Sequence, residues 1–187
     1  MASDRTILVL GDSLSAAYGL RSEQGWVALL QKRLQETGYA YEVINASVSG
    51  ETTAGGLQRL PRALELHRPG ILVLELGAND GLRALPLAKT RENLEKMLAL
   101  AKESHARVLL VGMRIPPNYG PRYTSDFAQM YHDIASRDDL PLVPFLLQSV
   151  ALDPDKMQGD GLHPNASGEP AVLDTLWPQL EPLLKKK

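Results

Sequence analysis

The sequence predicts an α/β protein, a three-layer α/β/α sandwich around a central, mostly parallel, five-stranded sheet. Three observations predict it. Five short apolar runs recur along the chain. Stretches with apolar residues three and four apart lie between them, which is helical spacing. The runs are almost continuously apolar rather than alternating, as in strands covered on both faces. Strands that alternate with helices build right-handed βαβ units and a parallel sheet.

The strand-like runs are Ile7 to Leu10, Tyr41 to Ile44, Ile71 to Leu76, Val108 to Gly112 and Leu142 to Leu146. Trp26, Leu29, Leu30 and Leu34 form the first helical stripe, with Gly38 as its stop signal. Leu57 to Leu66 is helix-like despite Pro61. Leu94, Met97, Leu98 and Ala101 form the next stripe, with Thr90 as the expected N-cap. Phe127, Met130, Tyr131 and Ile134 form another. Leu173, Leu176, Trp177, Leu180 and Leu184 form the last, which Pro178 should kink or split.

The chain has 187 residues, a length that suits one domain with its own core, here taken as 1–187 with loose ends at 1–5 and 185–187. Twenty Lys and Arg stand against 22 Asp and Glu, for a net charge of -2. No basic stripe stands out, so no nucleic-acid partner is expected. There is no cysteine, which excludes disulfides, thiolate catalysis and cysteine metal sites. No apolar run is long enough to span a bilayer.

Chemistry concentrates at four places. Gly11-Asp12-Ser13-Leu14 follows the first strand, at the edge where open α/β sheets bind ligands. Taken singly, Asp12, Ser13 or Ser15 would suit a cap or turn. Asp160-Gly161-Leu162-His163 supplies a carboxylate and an imidazole three residues apart, close enough to share one face of a turn. A hydroxyl becomes a good nucleophile when an oriented base takes its proton. The second strand leads to Gly50, where a glycine lets the backbone approach a ligand. The third ends in Gly77-Ala78-Asn79-Asp80-Gly81, whose asparagine amide is a donor. Glu75, inside an apolar strand, should be paired, with an arginine such as Arg114. His67, His105 and His132 lack acid partners at matching spacing and are read as surface or packing residues.

These blocks, in this order, resemble those of the SGNH, or GDSL, hydrolases: Gly11-Asp12-Ser13-Leu14, Gly50, Gly77-x-Asn79-Asp80 and Asp160-x-x-His163. Asn45-Ala46-Ser47, Gly81-Leu82-Arg83, Pro117-Asn118-Tyr119-Gly120 and Gly161-Leu162-His163-Pro164 look like the bacterial acyl-CoA thioesterase, lysophospholipase and arylesterase branch. The resemblance runs from about Ile7 to Leu184. It implies a flavodoxin-like sheet and a serine esterase or thioesterase, acting through an acyl-Ser13 intermediate on acyl-CoA, lysophospholipid or aryl esters. It implies catalytic roles for Ser13, Asp160 and His163. The implied oxyanion hole is the N–H of Ser13, the N–H of Gly50 and the side chain of Asn79. Asp12, Leu14, Leu76, Ile115, Pro116 and Tyr119 are expected to line the substrate groove.

No metal and no organic cofactor is expected, and the partner is a small acyl ester or thioester. The resemblance implies a periplasmic or secreted protein, with a cytoplasmic location as second choice. Met1-Ala2-Ser3-Asp4 lacks signal-peptide features, which suits either a cytosolic start or a chain whose signal has been removed, and the resemblance implies the second, a mature form. Ala78 stands where similar proteins carry a second glycine, which would alter the loop if that position needs positive φ. There is no G-x-S-x-G, hence no α/β-hydrolase nucleophile elbow. Two other readings stay open. One is a metal-dependent hydrolase using Asp12, Asp80, Asp160 and His163. The other is a non-catalytic acyl- or glycan-binding module.

Overall fold

A computed structural model describes residues 5–186. Expectations about residues 1–4 and 187 therefore lie outside the described residues. Among the described residues, five strands form one sheet: β1 (Thr6–Gly11), β2 (Glu42–Asn45), β3 (Ile71–Glu75), β4 (Arg107–Val111) and β5 (Leu142–Val143). Their order is β2-β1-β3-β4-β5, and every ladder is parallel. β1 and β3 are fully buried, as their unbroken apolar runs require.

The described residues form six α-helices: α1 (Trp26–Glu36), α2 (Thr53–His67), α3 (Ala78–Leu82), α4 (Leu87–Glu103), α5 (Pro121–Asp138) and α6 (Glu169–Leu180). α1 packs on β2 and α6. α2 packs on β1 and α4, and α4 packs on α5. This division follows from handedness. The chain leaves β1 toward one edge and returns across it to β3, so right-handed crossovers put α1 and α2 on opposite faces. The direction reverses between β1 and β3. Their carboxyl ends diverge there and open a crevice, the switch point at which open sheets bind ligands.

Several boundaries depart from the sequence reading. Thr90 lies inside α4, which begins after Pro86, and its side chain is buried. α2 starts at Thr53, earlier than its apolar stripe, because the Thr52 hydroxyl accepts the Gly55 N–H. β5 stops after Val143, since Pro144 has no N–H to continue the ladder. Pro178 sits within α6 without splitting it. α3, only five residues long, has no periodicity to betray it. Arg5 donates to the carbonyls of Lys185 and Lys186, which ties the two ends of the described chain together.

Candidate active site

Ser13 sits just past β1, in a turn that Asp12 builds. Asp12 Oδ1 accepts the Leu14 N–H at 3.0 Å, and the Asp12 carbonyl accepts the Ala16 N–H. Such an Asx turn stops the strand and lifts the next side chain toward the crevice. Residues 160–163 arrive from the other end of the chain. Gly161 has φ +66°, a left-handed conformation that lets the chain fold back on Asp160. Asp160 Oδ1 then accepts both the Leu162 and His163 N–H groups, at 2.9 and 3.0 Å.

The folded chain brings Ser13, His163 and Asp160 into one hydrogen-bonded series. Asp160 Oδ2 lies 2.6 Å from His163 Nδ1, and His163 Nε2 lies 2.8 Å from Ser13 Oγ. The Asp160 contact assigns the ring hydrogen to Nδ1, leaving Nε2 free to accept from the serine hydroxyl. Partial burial pushes the Asp160 carboxyl up, but the Leu162 N–H and the His163 ring outweigh it and hold it below its ordinary value. Asp160 is thus an anion suited to hold an imidazolium.

Two supports were not foreseen. The ring of Tyr18 lies against the imidazole, centroids 4.6 Å apart. Gln158 Nε2 donates to the carbonyls of Tyr18 and Pro164, both at 2.8 Å, while its N–H donates to the His163 carbonyl at 2.7 Å. Gln158 thereby ties the loop of the histidine to the loop of the serine. Neither residue carries a local signal, because each acts only through tertiary contact.

Asn79 lies on α3, past the end of β3. Its Nδ2 donates to Asp12 Oδ2 at 3.1 Å and to the Glu51 carbonyl at 3.0 Å. The helix can start here because Gly77 has φ +119°, and a Cβ at that position would come within 2.2 Å of the Tyr131 hydroxyl. Ala78 occupies an ordinary helical conformation. The positive φ belongs to Gly77, so the alanine brings no strain. Gly50 has φ +79°, and its carbonyl accepts from Arg83 at 3.1 Å. Arg59 braces the same loop through Glu51 (2.7 Å) and the Ala46 carbonyl (2.9 Å).

A cavity of 670 Å³ opens beside Ser13 and His163. Its walls include Leu14, Met113, Ile115, Pro116, Phe145, Leu147 and Leu162, with Asp12, Asn79 and Arg114 as polar members. Leu14, Ile115, Pro116 and Asp12, four of the residues expected at the groove, line this cavity. Leu76 is not among the walls: it is fully buried and packs at Gly56 of α2. Leu76 lies just past the end of β3, and its side chain turns toward α2. Tyr119 is also elsewhere, its hydroxyl donating to the Leu82 carbonyl at 2.6 Å. Arg114 does not pair with Glu75. Its guanidinium lies 5.5 Å over the Phe145 ring, a cation–π contact at the cavity wall.

The four polar residues of the metal reading are otherwise engaged. Asp80 accepts from the Thr53 N–H at 2.9 Å and its hydroxyl at 2.6 Å, which fixes the start of α2. Asp12 faces Leu14 and Asn79, and Asp160 faces His163. Among the described residues, no group of three or more His, Asp or Glu is gathered to hold a metal ion.

A strand-end serine relayed to an Asp-x-x-His turn on a 2-1-3-4-5 sheet defines a class, and the chain belongs to it: residues 9–170 match the GDSL-like Lipase/Acylhydrolase family. The esterase TesA of Pseudomonas aeruginosa is 50% identical over 183 residues, covering 98% of this chain and 91% of that protein. Thioesterase 1/protease 1/lysophospholipase L1 of Escherichia coli K12 is 42% identical over 98% of this chain and 86% of its own. The crystal structure of TesA superposes with a TM-score of 0.93 at 51% identity, over 96% of this chain and 99% of that one.

Proposed function

We propose that this protein hydrolyses carboxylic ester and thioester bonds of acyl substrates through an acyl-Ser13 intermediate. The observation that carries the reading is the 2.8 Å contact between Ser13 Oγ and His163 Nε2, backed by Asp160 at 2.6 Å. His163 takes the hydroxyl proton as Oγ attacks the carbonyl carbon. It then returns that proton to the leaving alcohol or thiol. Water, deprotonated by the same nitrogen, hydrolyses the acyl-serine. Asp160 stays ionised throughout and steadies the imidazolium.

The backbone N–H groups of Ser13 and Gly50 and the amide of Asn79 receive the oxyanion. In the free enzyme both Asn79 hydrogens are engaged, by Asp12 and by the Glu51 carbonyl. An oxyanion is a stronger acceptor than a neutral carbonyl, so the Glu51 contact is the one it displaces. The Asp12 contact keeps the amide aimed. The apolar walls of the cavity favour an acyl chain or an aryl group.

The names of the relatives, an esterase and a thioesterase/lysophospholipase, support both oxygen and sulfur leaving groups. A p-nitrophenyl acyl ester and an acyl-CoA test this directly. Turnover of both by the wild type, lost in Ser13→Ala with an unchanged circular dichroism spectrum, is the expected result. Binding without turnover would instead favour a non-catalytic acyl-binding module. Persistence of activity in excess chelator separates the serine reading from a metal-dependent one. The periplasmic or secreted location implied by the family resemblance belongs to the same proposal. No helix among the described residues is long and apolar enough to cross a membrane. Recovery of the esterase by osmotic shock is the expected outcome for the periplasmic case.

A further inference from the structure

Glu75 is a buried acid that the chemistry above leaves unused. It ends β3, is fully buried, and is the register partner of Gly11 on β1. Its Oε2 accepts the Asp12 N–H at 3.2 Å and the Ser15 hydroxyl at 2.7 Å. Its Oε1 has no donor among the described residues. A Cβ at Gly11 would come within 2.6 Å of Oε2, so the glycine makes the room in which this carboxyl sits.

An ionised carboxylate cannot rest there cheaply. An uncompensated buried charge is costly, and an orphaned oxygen adds its own desolvation penalty. Asp12 is also buried, its N–H is one of the two donors to Oε2, and its carboxyl is the neighbouring charge that acts on Glu75. Asp12 already accepts twice, from Leu14 at Oδ1 and from Asn79 at Oδ2. The other titratable groups around the pair are Tyr131 from α5, Asp80 from α3 and His163. Tyr131 donates to the Leu76 carbonyl, Asp80 is itself acidic, and both ring nitrogens of His163 are engaged by Asp160 and Ser13. None of them gives Glu75 a counter-charge. Two like-charged carboxyls in one apolar site share a proton, and the more buried member keeps it.

We infer that Glu75 is a neutral carboxylic acid that donates its hydroxyl to the Asp12 carboxylate, and so is a positioning residue that fixes the Asp12–Asn79 contact. Burial, then the charge of Asp12, pushes Glu75 well above its ordinary value, whereas burial lifts Asp12 to about 6. The proton therefore sits on Glu75 when Asp12 is ionised. The chain of donors runs from Glu75 to Asp12 and meets there the amide of Asn79. An anionic Asp12 holds that amide by a charge-assisted bond. The catalytic consequence rests on the proposed oxyanion role of Asn79, but the protonation state of Glu75 does not.

Infrared spectroscopy of the full chain at mildly alkaline pH tests the protonation state. A carboxylic-acid carbonyl band is expected in the wild type and should be absent from Glu75→Gln. Kinetics test the positioning. Glu75→Gln mimics a neutral acid and should retain kcat within about threefold, whereas Glu75→Leu should lower kcat roughly 10- to 100-fold with little change in KM. Absence of the band overturns the inference, and so does a Gln variant as impaired as the Leu variant. If Glu75→Leu does not fold, the infrared comparison and the Gln variant still decide. Failure of the esterase reading itself would appear separately, as activity surviving in Ser13→Ala.

Discussion

The ring of Tyr18 packs on the imidazole of His163, their centroids 4.6 Å apart and their planes tilted by 38°. Tyr18 is half exposed, so this contact is not part of the core. Its carbonyl is gripped by Gln158, which also holds the loop of the histidine. The aromatic face limits the rotation of the imidazole that contacts Ser13 Oγ. Tyr18→Ala should lower kcat by about tenfold, while Tyr18→Phe keeps the face and should be close to wild type. Steady-state kinetics of both variants on one p-nitrophenyl ester check this.

Two glycines of the site should fail for different reasons. At Gly161 a Cβ meets no atom within 4 Å, so Gly161→Ala costs only the left-handed backbone penalty, about 1–2 kcal/mol. At Gly11 φ is ordinary, but a Cβ would press on Glu75 Oε2 and Ser15 Oγ at 2.6 and 2.7 Å. Gly11→Ala should therefore be the more damaging to stability, about 1–3 kcal/mol as for an overpacked core. Denaturant midpoints give the stabilities. Activity loss in Gly161→Ala beyond its stability loss would reflect a displaced Asp160.

Asn79→Ala removes a donor proposed for the transition state. It should lower kcat by roughly 10²- to 10³-fold, with KM nearly unchanged, as for other lost oxyanion donors. An equal rise in KM would assign Asn79 to ground-state binding instead.

Glu169 supplies a pH dependence of stability. It is buried at the start of α6, where its Oε2 accepts the Trp26 N–H at 2.8 Å. Burial raises its carboxyl to about 7, against an opposing pull from that N–H. An acid whose folded value lies above its unfolded one favours folding when protonated. Its contribution is therefore full below the unfolded value and lost as pH rises toward about 7. Asp12, raised to about 6, acts in the same sense. Glu169→Gln keeps an acceptor for Trp26 without the charge, and should stabilise the protein by about 1–2 kcal/mol above neutral pH. Thermal melts of both proteins across the range should converge in acid and separate in base.

The architecture was legible because β1 and β3 are buried on both faces and cannot hide their apolar runs. The relay was legible because Asp160 and His163 form a local unit, and only its meeting with Ser13 needs the fold. What escaped has a common cause. Glu75 has no arginine partner, and its real environment, Gly11, Asp12 and Ser15, is set by the register of β1 on β3. Leu76 and Tyr119 lie at the active edge in sequence, but which way each side chain turns depends on packing against α2 and α3. Gln158 works through three hydrogen bonds to distant or folded-back backbone, which no spacing rule records. The Thr90 cap failed because the helix begins a turn earlier and buries that hydroxyl against Asp80.

The most direct test of the relay between Ser13 and His163 is intact-mass spectrometry after reaction with a p-nitrophenyl phosphonate. A single stoichiometric adduct, mapped to the Ser13 peptide and missing from Ser13→Ala and His163→Ala, is the predicted result. Labelling at another residue, with ester turnover intact in Ser13→Ala, would contradict it.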